Sequence, residues 1–101
     1  MRNFVFYAVF VVIGFSGQNA IAGDAGAGVY HAKGCVGCHG VSGKKPIAAN
    51  YPVIGGKPAD FISAELSKFR SGERKDPTMN AMAGALSDAD IANLAAYLAS
   101  Q

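Results

Sequence analysis

The chain is expected to fold as an all-α domain of three main helices joined by two long loops. Three observations predict this. Apolar residues recur at helical spacing in two stretches, Ile62, Leu66 and Phe69, then Ile91, Leu94, Ala95 and Leu98. No segment shows the apolar–polar alternation of a strand over a useful length. Glycine and proline crowd two segments, 40–57 and 72–86, and such dense punctuation opposes any long element there.

The first segment to account for is the N-terminus. Arg2 precedes an uncharged apolar run over residues 4–15, and Ala20-Ile21-Ala22 follows it. A short apolar run and a small-x-small site read as a secretory signal peptide over 1–22, with one domain over 23–101. The competing membrane anchor would need about 20 apolar residues to span a bilayer, and the run is shorter. No stable membrane span is therefore expected after cleavage.

Asp24 is expected to cap a first helix over about 25–34. Gly23, Gly26 and Gly28 weaken it, and glycine kept in a helix suggests close approach of another backbone. Residues 40–57 read as loop. Pro58 suits the first turn of a second helix running to about Arg70, with the Ile62, Leu66, Phe69 stripe buried and Ser71-Gly72 as its stop. Residues 72–86 read as a second loop, carrying Pro77, Met79, Met82 and Gly84. Ser87 caps the last helix, with Asp90 in the place of the usual Glu of a capping box.

The composition adds a constraint. The chain has 101 residues, no Trp, and its large apolar residues are densest in the first 15. A domain of 23–101 can bury only a small core, and natural domains of that size add a staple or a bound group. Two loops of about 15 residues are also long for so small a domain. Wrapping a large flat ligand from both sides would account for both features. Nine Lys/Arg against seven Asp/Glu give no basic face suited to nucleic acid.

Both cysteines lie in Cys35-Val36-Gly37-Cys38-His39, a C-x-x-C-H run. That run is the attachment signature of c-type haem. Its spacing lets two thiols reach the two vinyl groups on one porphyrin edge and sets an imidazole beneath the iron. Three alternatives are weaker. A disulfide explains the cysteines but not His39. A thioredoxin-like redox pair needs a preceding strand and a βαβ setting. A zinc site needs further ligands, and only His31 is left to supply one.

An iron that carries electrons needs a sixth ligand. A thioether on the far side of His39 raises the reduction potential, because the soft sulfur favours Fe(II). Met79 and Met82 both sit before the last helix, and spacing alone does not choose between them. His31 lies four residues before Cys35 and is poorly placed to cross the haem plane. His39 needs an acceptor for its second ring nitrogen, and the loop Asn50-Tyr51-Pro52-Val53-Ile54-Gly55 could supply a backbone carbonyl.

With these motifs in place, the chain resembles class I c-type cytochromes, and is most similar to the small cytochrome c-553/cytochrome c4 group. The resemblance covers residues 24–101. It rests on Cys35 to Gly40, Tyr51 to Gly56, Phe69 to Arg74, Met79-Asn80-Ala81-Met82, Leu86 to Ile91 and Ala95 to Leu98. It implies an all-α fold wrapped around one covalent haem c per chain, with the first and last helices crossing. It implies a small residue, Gly28 or Ala27, against Tyr97. It implies that the Pro52 carbonyl accepts from His39, and that Met79 is the iron ligand with Met82 a neighbour at the haem edge. Cytochromes c4 carry two such domains; this chain holds one.

The function expected is a periplasmic electron carrier rather than an enzyme, exchanging electrons with redox proteins such as a flavoprotein or a terminal oxidase. A haem subunit of an exported oxidoreductase, such as a flavocytochrome c sulfide dehydrogenase, is the alternative; co-purification with a flavoprotein would favour it. A ligand sensor or peroxidase-like protein would need an open sixth position. Lys33, Lys44, Lys45, Lys57 and Lys75 are candidates for steering an acidic partner, and a rate indifferent to salt would remove that role.

Overall fold

A computed structural model describes the backbone of residues 18–101 and the side chains of residues 24–101. The apolar run over 4–15 and Arg2 lie outside the described residues. Five α-helices follow one another: α1 Gln18–Ala32, α2 Val36–His39, α3 Ala59–Ser71, α4 Pro77–Gly84 and α5 Asp88–Ala99. A 3-10 turn over Val41–Gly43 follows α2. The described residues contain no strand, and no helix among them is long and apolar enough to cross a membrane.

The expected three helices are α1, α3 and α5, and two details differ. The first helix does not start at Asp24. It already runs from Gln18 through Ala20-Ile21-Ala22, because alanines on both sides of Gly23 sustain it, so Asp24 lies inside the helix. The second loop is not all loop, since residues 77–84 form α4. Asp76 and Pro77 are not breakers here. The Asp76 side chain accepts from Met79 N–H at 2.9 Å as an N-cap, and Pro77 takes the first helical position, where its missing N–H costs nothing.

The other helix ends follow the sequence closely. Pro58 stands one position outside α3, with extended backbone, and Gly72 ends α3 at φ 82°, where glycine carries no Cβ penalty. Ser87 Oγ accepts from Asp90 N–H, and Asp90 Oδ2 accepts from Ser87 N–H, both at 3.0 Å. That backbone hydrogen bond, with the Ser87 hydroxyl, holds the Asp90 carboxyl below its ordinary pKa. Arg70 ties the end of α3 to the start of α5 through Asp88 at 2.7 Å and the Leu86 carbonyl at 3.3 Å.

Helix α1 crosses α5, while α3 packs on both α5 and α4. The close approach at the crossing falls on Gly26, not on Ala27 or Gly28. A Cβ at Gly26 would overlap the Asn93 carbonyl oxygen and Tyr97 Cβ, whereas one at Gly28 would meet nothing within 4 Å. The reason is register: Gly26 is buried on the α5 side, and Gly28, two residues on, faces solvent. Tyr97 is the aromatic expected at the crossing, its ring centroid 5.5 Å from that of Tyr30.

The core is small. Its buried apolar residues are Tyr30, Ile62, Ala83, Leu86, Ile91, Leu94, Ala95 and Leu98, and half of them come from α5. The two neighbouring glycines of α1 make a paired test. Gly26→Ala should lower unfolding stability by about 1–3 kcal/mol through overpacking. Gly28→Ala should raise it by about 0.5–1 kcal/mol, because only the unfolded chain loses freedom. Denaturant midpoints measure both, and equal effects would contradict the crossing described.

Candidate functional site

A cavity of about 680 Å³ opens between α3, α4, α5 and the segment 34–57. That is within the range of cofactor pockets. Ile54, Ile62, Leu66, Phe69, Leu94 and Leu98 give it apolar walls. Phe61, half exposed, also lines it, as does Val53. Their exposure is toward a space that an apolar ligand would occupy.

Cys35, Cys38 and His39 meet in this cavity because they share one short helix. Cys35 is the N-cap residue of α2, and Cys38 and His39 close its single turn. Both thiols are free and partly buried, and both line the cavity. Burial pushes the Cys35 thiol above its ordinary pKa. A redox-active C-x-x-C pair needs the opposite shift, toward the thiolate. Among the described residues no group of three His, Cys, Asp or Glu side chains converges as a metal-ion site.

His39 is buried, and its Nδ1 lies 2.9 Å from the Pro52 carbonyl. A carbonyl only accepts, so Nδ1 carries the proton and Nε2 keeps its lone pair as the nitrogen available to a ligand. Gly40 turns the chain away immediately afterwards at φ 79°, where a Cβ would overlap the Lys45 carbonyl. The Gly40 carbonyl accepts from the Tyr30 hydroxyl at 2.5 Å. Tyr30 is fully buried, and that burial pushes its phenol up to about 12.

Met79 and Met82 both line the cavity, one turn apart on α4. Met82 Cε lies on the side of Gly34, next to Cys35, since a Cβ added at Gly34 would be 3.9 Å from it. His31 is exposed and is not part of the cavity wall. Of the five candidate lysines, all exposed, Lys57 alone stands on the cavity rim.

Charged groups reach the same cavity through α3 and the segment after it. Arg74 pairs with Glu65 at 2.5 Å, and its guanidinium lies 4.6 Å from the Phe69 ring centre. The Arg74 hydrogen bond holds the Glu65 carboxyl below its ordinary pKa. Sequence reasoning did not single out Glu65, the Tyr30 hydroxyl or the side chain of Asn80, which bridges α3, the following loop and α4. Hydrogen-bond partners 9 to 11 residues apart leave no periodic signal.

Comparison with known proteins agrees with this geometry. The family model for cytochrome c matches residues 23–101. Cytochrome c4 of Pseudomonas aeruginosa is 34% identical over 99 residues, covering 98% of this chain and 49% of that protein. Cytochrome c-554(548) of Halomonas halodenitrificans is 42% identical over 83 residues, covering 79% of this chain and 99% of that protein. The crystal structure of reduced cytochrome c4 from Pseudomonas stutzeri is similar with a TM-score of 0.70 at 28% identity, over 79% of this chain and 48% of that one. The chain thus spans about half the length of the cytochromes c4 it matches.

The buried Tyr30 phenol gives a pH dependence of known sign. Its pKa is near 10 in an unfolded chain and about 12 in the fold. The contribution is complete below about pH 10 and is lost as pH rises through about 12, because the unfolded chain sheds the proton first. Tyr30→Phe should cost about 0.5–1.5 kcal/mol at neutral pH, by removing the shorter of the two hydrogen bonds that the Gly40 carbonyl accepts, the other coming from Gly43 N–H at 3.1 Å. It should also flatten the fall in stability between about pH 10 and 12. Urea titrations across that range check this, and parallel curves for both proteins would refute it.

Proposed function

The chain belongs to the cytochrome c family, and from that premise we propose that it is a periplasmic single-electron carrier whose haem iron is held between His39 and Met79. As a family member it is an electron-transfer protein with covalently bound haem c. The observation that carries the finer proposal is the convergence of Cys35, Cys38, His39 and Met79 on one apolar cavity.

The residues present fit that group. Cys35 and Cys38 would hold it by thioether bonds at one end of the cavity. His39 would offer Nε2, its ring fixed by the Pro52 carbonyl. Met79 would offer its sulfur from α4, with Met82 toward the attachment edge. Haem c supplies a one-electron iron couple, and a thioether ligand shifts that couple toward the reduced form. Tyr30 fixes the chain directly after His39 through Gly40. Redox proteins that give or take single electrons are the partners. Export is supported by the apolar run over 4–15 and by Ala20-Ile21-Ala22, so residues 1–22 would be removed and 23–101 would be the working domain.

Two substitutions divide the methionines. Met79→Ala should abolish the deep-red charge-transfer band of a methionine-bound ferric haem. It should also lower the reduction potential by about 0.1 V or more, within the ~0.8 V range that axial ligands command. Met82→Ala should keep the band, and the reverse pattern would exchange their roles. Replacing both cysteines tests the haem as a structural element. Without a bound group the apolar walls formed by Ile54, Ile62, Leu66, Phe69, Leu94 and Leu98 lose their packing partner, and a domain has only ~5–15 kcal/mol of stability to lose. Cys35→Ser with Cys38→Ser should therefore leave the chain unfolded by circular dichroism, and a cooperatively folded helical form would contradict this.

A further inference from the structure

One side chain holds the segment between α3 and α4. Asn80 Nδ2 donates to the carbonyls of Phe69 and Arg74, each at 2.8 Å. Asn80 Oδ1 accepts from Asp76 N–H at 3.0 Å, and Asn80 N–H donates to the Asp76 carbonyl at 2.7 Å. Asp76 in turn accepts from Met79 N–H at 2.9 Å. The amide thus uses both donors and its oxygen, and every bond ends on the backbone leading to Met79.

We infer that Asn80 is a positioning residue that holds Met79 ready for the iron. This rests on the His39 and Met79 ligation proposed above. The argument starts from how little else restrains α4. It has eight residues, and Ala83 is its one buried residue. A helix that short is not stable alone, and so small a buried surface restrains it weakly. Residues 73–76 before it and the first two residues of α4 itself are exposed. A sulfur on such a segment would lose much freedom on binding, unless the segment is fixed beforehand. The Asn80 network fixes it, from the last turn of α3 through Arg74 and Asp76 to the Met79 amide.

The chemistry calls for asparagine. Alanine would leave the Phe69 carbonyl with only its 3.3 Å bond from Gly72 N–H, and the Arg74 carbonyl and Asp76 N–H without this partner. Aspartate would keep the acceptor for Asp76 but turn a carboxylate oxygen toward two carbonyls. Both should loosen Met79 without touching the sulfur.

Imidazole competition at the ferric iron measures this, because imidazole binds only when the sixth ligand lets go. Asn80→Ala should bind imidazole about tenfold more tightly than the wild type, equivalent to about 1.4 kcal/mol. Asn80→Asp should shift the same way and serves if the alanine variant does not fold. Ser87→Ala removes a helix-cap bond from α5 instead. It should leave imidazole affinity unchanged, which separates local positioning from general loss of stability. Wild-type affinity in both Asn80 variants, or an equal shift in Ser87→Ala, would overturn the positioning role. A wild-type ferric protein lacking the methionine charge-transfer band would instead overturn the ligation on which it rests.

Discussion

An apolar space of about 680 Å³ in the middle of so short a domain has to be filled, and the composition of every element answers to that need. α3 turns Leu66 and Phe69 toward the space and keeps only Ile62 fully buried. α5 buries Ile91, Leu94, Ala95 and Leu98, and two of these, Leu94 and Leu98, also form cavity wall. The same side chains thus serve as core and as lining. That economy explains how the long segment 44–58 can lack regular structure: its residues would find partners on a bound group instead of on one another. A haem in this position would be both the redox centre and the largest apolar object in the fold.

Around the space the polar groups are arranged by strict local geometry. One turn of α2 carries both thiols and the imidazole, so their relative placement needs no tertiary contact. Tertiary contacts then orient what the turn presents. Pro52 engages Nδ1 of His39, and the buried Tyr30 hydroxyl holds Gly40. Each acceptor is a backbone carbonyl, which neither titrates nor rotates. A centre whose job is to change charge by one electron gains from neighbours whose own charge stays fixed at physiological pH.

Much of this could be read in the sequence where the cause was local. The capping box at Ser87, the stop at Gly72 and the apolar stripes of α3 and α5 each depend on residues within one or two turns. The C-x-x-C-H run could be read because chemistry dictates its spacing. What could not be read depended on contacts across the fold. Choosing Gly26 over Gly28 requires the rotation of α1 against α5, and both positions look alike in a list of glycines. α4 was hidden because Asp76-Pro77 and Gly84 carry two meanings, helix boundary or loop. The difference lies in whether the Asp76 carboxylate finds the Met79 amide.

The two sides of the cavity are held by different physics. On the His39 side, the covalent attachment points and the imidazole lie within one turn, so chain connectivity supplies the order. On the Met79 side α4 is short and thinly buried, and hydrogen bonds supply it. Backbone connectivity cannot open without breaking bonds, whereas a network of neutral hydrogen bonds opens at a cost of about 1 kcal/mol each. Local opening should therefore begin at α4 and its preceding loop, where exposed residues 73–76 lead to a helix with one buried residue. With Met79 as the proposed iron ligand, that asymmetry would let the loop modulate the strength of its bond, while the attachment side stays fixed by chain connectivity.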